Sequence, residues 1–261
     1  MSLTIAGGPL ASRRPDQVNY SIDGPKHLLF FEPFPRRVRG YLVGELVFDT
    51  RAGMLLHESN LLPQLYVPHA DVHATLTPTA HTTHCPFKGD AAYWSVTAAE
   101  RTAENAVWAY PEPMPGAEWL RGYVAVYWAA LDGWYDEDEQ VFGHLRDPYH
   151  RVDIRQASRH VRVAVGGDVL AESSRPMVLS ETGLPNRYYL PPEDVRTEAL
   201  HESATRTVCP YKGTASYRSA GDVDDVAWVY PEPLDGARAV AGHFCFAGDG
   251  VDLRVDGERV G

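Results

Sequence analysis

One segment of this chain occurs twice. Thr83-His84-Cys85-Pro86-Phe87-Lys88-Gly89-Asp90-Ala91-Ala92-Tyr93 returns as Thr207-Val208-Cys209-Pro210-Tyr211-Lys212-Gly213-Thr214-Ala215-Ser216-Tyr217, an offset of 124 from Cys85 to Cys209. Downstream, Val107-Trp108-Ala109-Tyr110-Pro111-Glu112-Pro113 returns as Ala227-Trp228-Val229-Tyr230-Pro231-Glu232-Pro233. Here the offset is 120, from Trp108 to Trp228, so the first copy carries four extra residues between the motifs. Upstream, Val38-Arg39 and Val161-Arg162, Asp71-Val72 and Asp194-Val195, and Pro25-Lys26-His27 and Pro148-Tyr149-His150 all keep an offset of 123. Matches in constant order with small indels mean duplication. The chain must therefore fold as two copies of one unit of roughly 110–125 residues, an ordinary domain size. We expect an N-terminal arm over residues 1–20, a first repeat domain over 21–146 ending in an acidic loop, and a second over 147–261. The acidic stretch Asp136-Glu137-Asp138-Glu139 reads as a solvated loop or linker.

Composition narrows the class. Hydrophobic residues at 44% and charged residues at 23% exclude wholesale disorder. No apolar run approaches the roughly 18–20 residues that span a bilayer, so no membrane partner is expected. The start, Met1 to Gly8, lacks a basic region followed by an apolar one, so no signal peptide is expected. Lys plus Arg is 24 against 35 Asp plus Glu, a net charge of −11. That balance argues against a nucleic-acid partner, which needs a basic face. Three cysteines, Cys85, Cys209 and Cys245, support neither a disulfide framework nor a four-thiolate zinc site. A reducing cytoplasm is the expected setting.

The pattern is that of short strands. Val161-Arg162-Val163-Ala164-Val165 alternates, Gly166-Gly167-Asp168 turns, and Val169-Leu170-Ala171 returns, which predicts a hairpin. Tyr41 to Phe48 is its counterpart. Gly122 to Trp128 and Gly242 to Phe246 read as buried strands. Only Pro192 to Arg196 suggests a short helix. Each copy is mainly β.

Cys-Pro-(Phe/Tyr)-Lys-Gly admits two readings. In one it is a turn: Pro fixes φ near −65°, Gly supplies a positive φ, the cysteine is a small buried hydrophobe and the lysine a solvated tip. In the other the same turn aims its side chains inward. An ammonium three residues from a thiol favours thiolate, so Cys85 and Cys209 become candidate nucleophiles. Lys88 and Lys212 become candidate catalytic groups or anion partners. A turn alone needs only Pro and Gly, yet both copies keep Cys and Lys. Trp-x-Tyr-Pro-Glu-Pro is also open. Trp108 and Tyr110, like Trp228 and Tyr230, share a face at i and i+2, either in a core or along the wall of a ligand pocket. Tyr93 and Tyr217 close the first motif and join the candidate ligand-binding set.

His69, His73, His81 and His84 with Cys85 have metal-ligand chemistry. Their counterparts Pro192, Arg196, Thr205 and Val208 do not, and no CxxC is present, so no metal is expected. His57-Glu58 and Ser180-Glu181 share only the glutamate. Arg39 and Arg162 are either solvent-facing strand residues or anion ligands beside Lys88 and Lys212. No GxSxG, GxxxxGK[ST] or GxGxxG is present.

The doubled Thr-x-Cys-Pro-x-Lys-Gly-x-Ala-x-Tyr and Trp-x-Tyr-Pro-x-Pro motifs, with the closing Val255-Asp256-Gly257-Glu258, resemble the domain of unknown function 427 family. The two-copy arrangement is similar to that of actinobacterial members. The resemblance implies a β-tent, a Mss4-like fold whose zinc-binding relatives use paired CxxC motifs absent here. It also carries a nucleotidyltransferase-like label, but this chain has neither a paired Asp-x-Asp nor a glycine-rich phosphate cradle. The expected protein is two tandem β-tent-like domains, each with a small-molecule site around the two motifs. A non-catalytic ligand-binding or interaction module is the alternative, and nucleotidyl transfer a second. The residues name no cofactor and no oligomeric state.

Overall fold

The computed structural model describes Asn19 and residues 24–260, so the expected arm over 1–20 lies outside the described residues apart from Asn19. The chain divides into two compact units between Tyr149 and His150. The first holds β1 (Leu29–Pro33), β2 (Val38–Leu42), β3 (Glu45–Thr50), β4 (Met54–Glu58), β5 (Gln64–Pro68), β6 (Leu76–Cys85), β7 (Gly89–Ala98), β8 (Arg101–Ala109), β9 (Tyr123–Val126), β10 (Gly133–Asp136) and β11 (Glu139–Val141). Seven of these form an antiparallel sheet in the order β1-β4-β5-β9-β8-β7-β6, and four form a second, β11-β10-β2-β3. The second unit repeats the plan with β12 (Val152–Gln156), β13 (Val161–Val165), β14 (Asp168–Ser173), β15 (Met177–Glu181), β16 (Arg187–Leu190), β17 (His201–Cys209), β18 (Gly213–Ala220), β19 (Val223–Val229), β20 (Phe244–Phe246), β21 (Val251–Val255) and β22 (Glu258–Arg259). Its sheets run β12-β15-β16-β20-β19-β18-β17 and β14-β13-β21-β22. Both units are mainly β, in tandem, and the only helical segments among the described residues are short 3-10 turns. None of these is long and apolar enough to cross a membrane.

Alternation along each strand builds two cores per unit. Leu55, Leu65, Val67, Val107, Val124 and Val126 leave one face of the seven-stranded sheet and pack on Val38, Leu42, Val47 and Phe48. Leu56, Tyr66, Tyr93, Trp108 and Ala125 leave the other face and cluster with Tyr110 and Leu120 from the segment after β8. In the second unit Leu190, Val226 and Phe246 face the small sheet, while Leu179, Tyr189, Tyr217, Trp228 and Cys245 face the other way.

The predicted hairpins form with two-residue turns. Gly166 and Gly167 have φ of 60° and 97°, and Val43 and Gly44 have 51° and 77°. Two positive φ values give these turns the twist that matches paired strands. The four extra residues of the first copy lengthen one hairpin: β7 has 10 residues and β8 has 9, against 8 in β18 and 7 in β19.

The acidic stretch is not a linker. Asp136 ends β10, Glu139 begins β11, and Glu137 turns between them with φ 52°. The reason is the basic run opposite. Arg36 donates twice to Asp136, at 2.6 and 2.7 Å, and the Arg37 backbone N–H donates to Glu137 Oε1 at 2.9 Å. Arg39 donates to the Glu137 carbonyl and to Asp138. The equivalent turn of the second unit is Asp256-Gly257, with φ 52° and 87°.

Candidate functional site

The Cys-Pro-x-Lys-Gly segment links β6 to β7. Cys85 pairs with Gly89 across the hairpin, and the Lys88 backbone N–H donates to the Cys85 carbonyl at 3.3 Å. Pro86 sits at the second turn position, where its fixed φ fits. Gly89 has φ +104°, and a Cβ there would stand 3.1 Å from the Glu112 carbonyl oxygen. That oxygen belongs to the second repeated motif, and the Met114 backbone N–H donates to the Lys88 carbonyl at 3.0 Å. The second unit repeats the contact: Gly213 has φ +104°, its Cβ would meet Glu232 O at 3.3 Å, and Leu234 N–H donates to Lys212 O at 3.0 Å. The two motifs are thus one structural object, a turn docked on a Pro-Glu-Pro strap.

The lysine of this turn is not a solvated tip. Lys88 and Lys212 are each only 8% exposed. The Lys88 ammonium donates to Glu58 Oε2, and Nε2 of His27 donates to Glu58 Oε1 at 2.8 Å. The His27 ring stacks on Phe87, with centroids 3.8 Å apart and planes 8° apart. In the second unit Lys212 donates to Glu181 Oε2 at 2.5 Å, His150 donates to Oε1 at 2.9 Å, and His150 packs on Tyr211 at 4.2 Å. Burial pushes the Glu181 carboxyl up, but the hydrogen bonds and charges of His150 and Lys212 outweigh it and hold it at about 2. Each closed chain, ring on imidazole on carboxylate on ammonium, returns to the same turn.

Aromatic side chains line the face beside this ion pair. The Lys88 ammonium lies 5.7 Å over the Tyr110 ring. Tyr66 bonds Trp108, and Trp228 Nε1 donates to the Tyr189 hydroxyl at 3.2 Å. Tyr93 and Tyr217 bond Thr83 and Thr207, at 2.9 and 3.2 Å. Burial, then neighbouring acidic groups, raises the Tyr110 and Tyr230 hydroxyls well above the ordinary phenol range.

The structure therefore brings most of the candidate residues together. Cys85, Tyr93, Trp108 and Tyr110 share one cluster, with Lys88 over the Tyr110 ring. Tyr217, Trp228 and Tyr230 share the matching cluster. Cys209 stands at the head of the turn that carries Lys212, and both thiols are half-buried. The ammonium expected to favour a thiolate donates instead to a carboxylate. Arg39 and Arg162 stand apart, on β2 and β13 of the small sheets. Val38 and Leu42 point into the core, which sends Arg39 to the outer face, where it holds the Glu137–Asp138 turn. Glu112 is almost fully exposed and makes one long contact with Arg121 at 3.4 Å. Among the described residues no three His, Cys, Asp or Glu side chains are grouped to hold a metal.

Sequence reasoning left out His27, His150, Glu58, Glu181, Tyr66 and Tyr189 as site residues. The signal was present: each pair keeps the offset of 123. It carried no chemistry until the sheet brought residue 58 to residue 88.

No curated protein matches the chain. A family model described as a domain of unknown function (DUF427) matches residues 30–137 and again residues 153–260. The chain belongs to this family and carries its domain twice.

Proposed function

We propose that each unit is a small-molecule receptor. Its ligand lies against the tyrosine and tryptophan face, with the lysine–glutamate–histidine chain at one end. The observation that carries this reading is the recurrence of the whole ensemble in both units. His27, Glu58, Cys85, Lys88, Tyr93, Trp108 and Tyr110 answer His150, Glu181, Cys209, Lys212, Tyr217, Trp228 and Tyr230. A buried ion pair is a poor device for holding a turn, since apolar residues of similar volume do as well or better. Charged groups with shifted titration beside aromatic side chains are a recognised mark of functional sites.

In this reading Lys88 and Lys212 are positioning residues, because their ammonium groups are committed to Glu58 and Glu181. Cys85 and Cys209 are the half-exposed groups available for covalent chemistry. Tyr93, Trp108, Tyr110 and their counterparts form the contact wall.

The test is a fragment screen on nitrogen-15-labelled protein, read at the indole N–H signals of Trp108 and Trp228. A planar fragment is expected to shift one or both signals saturably, and Tyr110→Ala or Tyr230→Ala should weaken the response in its own unit. If no fragment moves either indole, the ligand-site reading fails and the ensemble is a structural clasp.

A further inference from the structure

The two aromatic faces share their ion pair and differ at three matched positions around it. Gln64 on β5 and Arg187 on β16 occupy the same place, opposite Leu56 and Leu179. Tyr127 and Ala247 also correspond, their backbone N–H groups donating to Ala106 O and Val226 O. His81 and Thr205 precede the same pairing in β6 and β17.

In the first unit two more rings stand against the face. The Tyr127 ring lies 4.4 Å from Trp108, and its hydroxyl bonds Tyr93. The His81 ring lies 4.4 Å from Tyr93, which is left 5% exposed. In the second unit Ala247 and Thr205 remove those two rings, and Tyr217 is half-buried where Tyr93 is buried, while Trp108 and Trp228 are half-buried alike.

Arg187 stands on this less covered face. It shares the face of Tyr189, two residues on, and its guanidinium carbon lies 5.7 Å over the Trp228 ring. It is half-buried. Among the described residues no carboxylate or carbonyl accepts a hydrogen bond from it. The nearby Glu181 is already shared by Lys212 and His150. Arg187 and Lys212 both pull against the burial that raises the Cys245 thiol. A guanidinium partly removed from water without a counter-ion carries an uncompensated desolvation cost. Stacked on an indole, it still presents a planar fork of N–H donors suited to two oxygens of one anion.

Resting on the receptor reading above, we infer that the aromatic face of the second unit takes a planar aromatic anion, bearing a carboxylate or a phosphate, with Arg187 as the partner of the anionic group and Tyr217 and Trp228 as its wall. The first unit, with Gln64 and Tyr127 at the matched positions, does not take that anion.

The test uses matched probes on the full chain: indole-3-acetate against indole-3-acetamide, and phenyl phosphate against phenol. Binding is followed at the Trp228 and Trp108 indole N–H signals, in wild type and in Arg187→Gln, which installs the first unit's residue. Arg187 is half-buried and unpaired, so the variant should fold, as an unchanged Tm would show. An anion is expected to shift Trp228 but not Trp108, to bind at least about tenfold more tightly than its neutral match, and to lose that margin in Arg187→Gln. The acid that wins identifies carboxylate or phosphate. If the neutral probes bind Trp228 as well as the anions, or Arg187→Gln binds unchanged, the anion inference is overturned while the receptor reading stands. If no probe of either charge moves Trp228, both are overturned for this unit.

Discussion

Lys88 and Glu58 belong to opposite ends of one sheet's strand order and meet in a buried ion pair. Glu58 ends β4, one strand from the β1 edge, and Lys88 lies in the turn beside β6, the other edge. The pair draws the two ends of the curled sheet together over the aromatic face. Lys212 and Glu181 do the same in the second unit.

Removing one partner leaves the other charge buried. Lys88→Met should therefore cost the first unit about 3 kcal/mol, because Glu58 loses its cation without regaining water. The double variant Glu58→Gln/Lys88→Met should recover a large part of that loss. Urea unfolding of the three proteins checks this, and equal losses in the single and double variants would show that the charge pair is not the cause.

The second pair should be visible in acid. The Glu181 carboxyl sits at about 2 in the folded protein and at an ordinary 4.5 when unfolded. A depressed value stabilises the fold above the unfolded value, and that contribution fades as pH falls from about 4.5 through about 2. Tm measured across this window should fall more steeply for wild type than for Glu181→Gln/Lys212→Met. Parallel curves would contradict the assignment.

Val43 is a β-branched residue in a left-handed turn position, φ 51°, where the second unit has Gly166. Its side chain is 48% exposed, so packing does not hold it there. Val43→Asn creates the Asn-Gly pair that this turn type favours and should raise stability by about 1 kcal/mol. The Val43 N–H bond to Asp132, at 2.7 Å, is unaffected by the change. Chemical denaturation reads the gain.

Gly89 and Gly213 meet both backbone constraint and neighbour. Gly89→Ala forces a residue with a Cβ to φ +104° and into the Glu112 carbonyl, and should destabilise by about 2 kcal/mol or more. Gly44→Ala is the comparison, since its Cβ would meet nothing within 4 Å. The Gly89 variant should show the larger fall in Tm.

Cys245 is 1% exposed, and burial pushes its thiol up to about 12. Iodoacetamide at pH 8 should label Cys85 and Cys209 while leaving Cys245 intact until the chain unfolds, since the thiolate is the reacting form. Peptide mapping after brief labelling gives the order.

Much of this fold was legible because duplication displays it twice. Glycine pairs at Gly166-Gly167, alternating valines in β13 and matched motifs announce β units of fixed length. The candidate cluster was half legible: Cys85, Lys88, Tyr93, Trp108 and Tyr110 lie close together in sequence and stay close in space. Glu58 and His27 did not read as partners of Lys88, because each lies on a different strand or approach to one and only sheet order relates them. The acidic run at Asp136 was open between a solvated loop and a linker, and it is the loop: Glu137 to Glu139 are exposed, in a hairpin turn that the strand carrying Arg36 to Arg39 lies beside.

By itself the sequence determined that the chain is two copies of a small β unit, since an ordered repeat and period-two alternation are local properties of the chain. The tertiary structure alone decided which charges are buried and which are spent. Strand order places Glu58 under Lys88 and Glu181 under Lys212, while among the described residues no carboxylate pairs with Arg187. Hydrogen bonding and desolvation depend on neighbours across the sheet, and those neighbours are set by folding rather than by position along the chain.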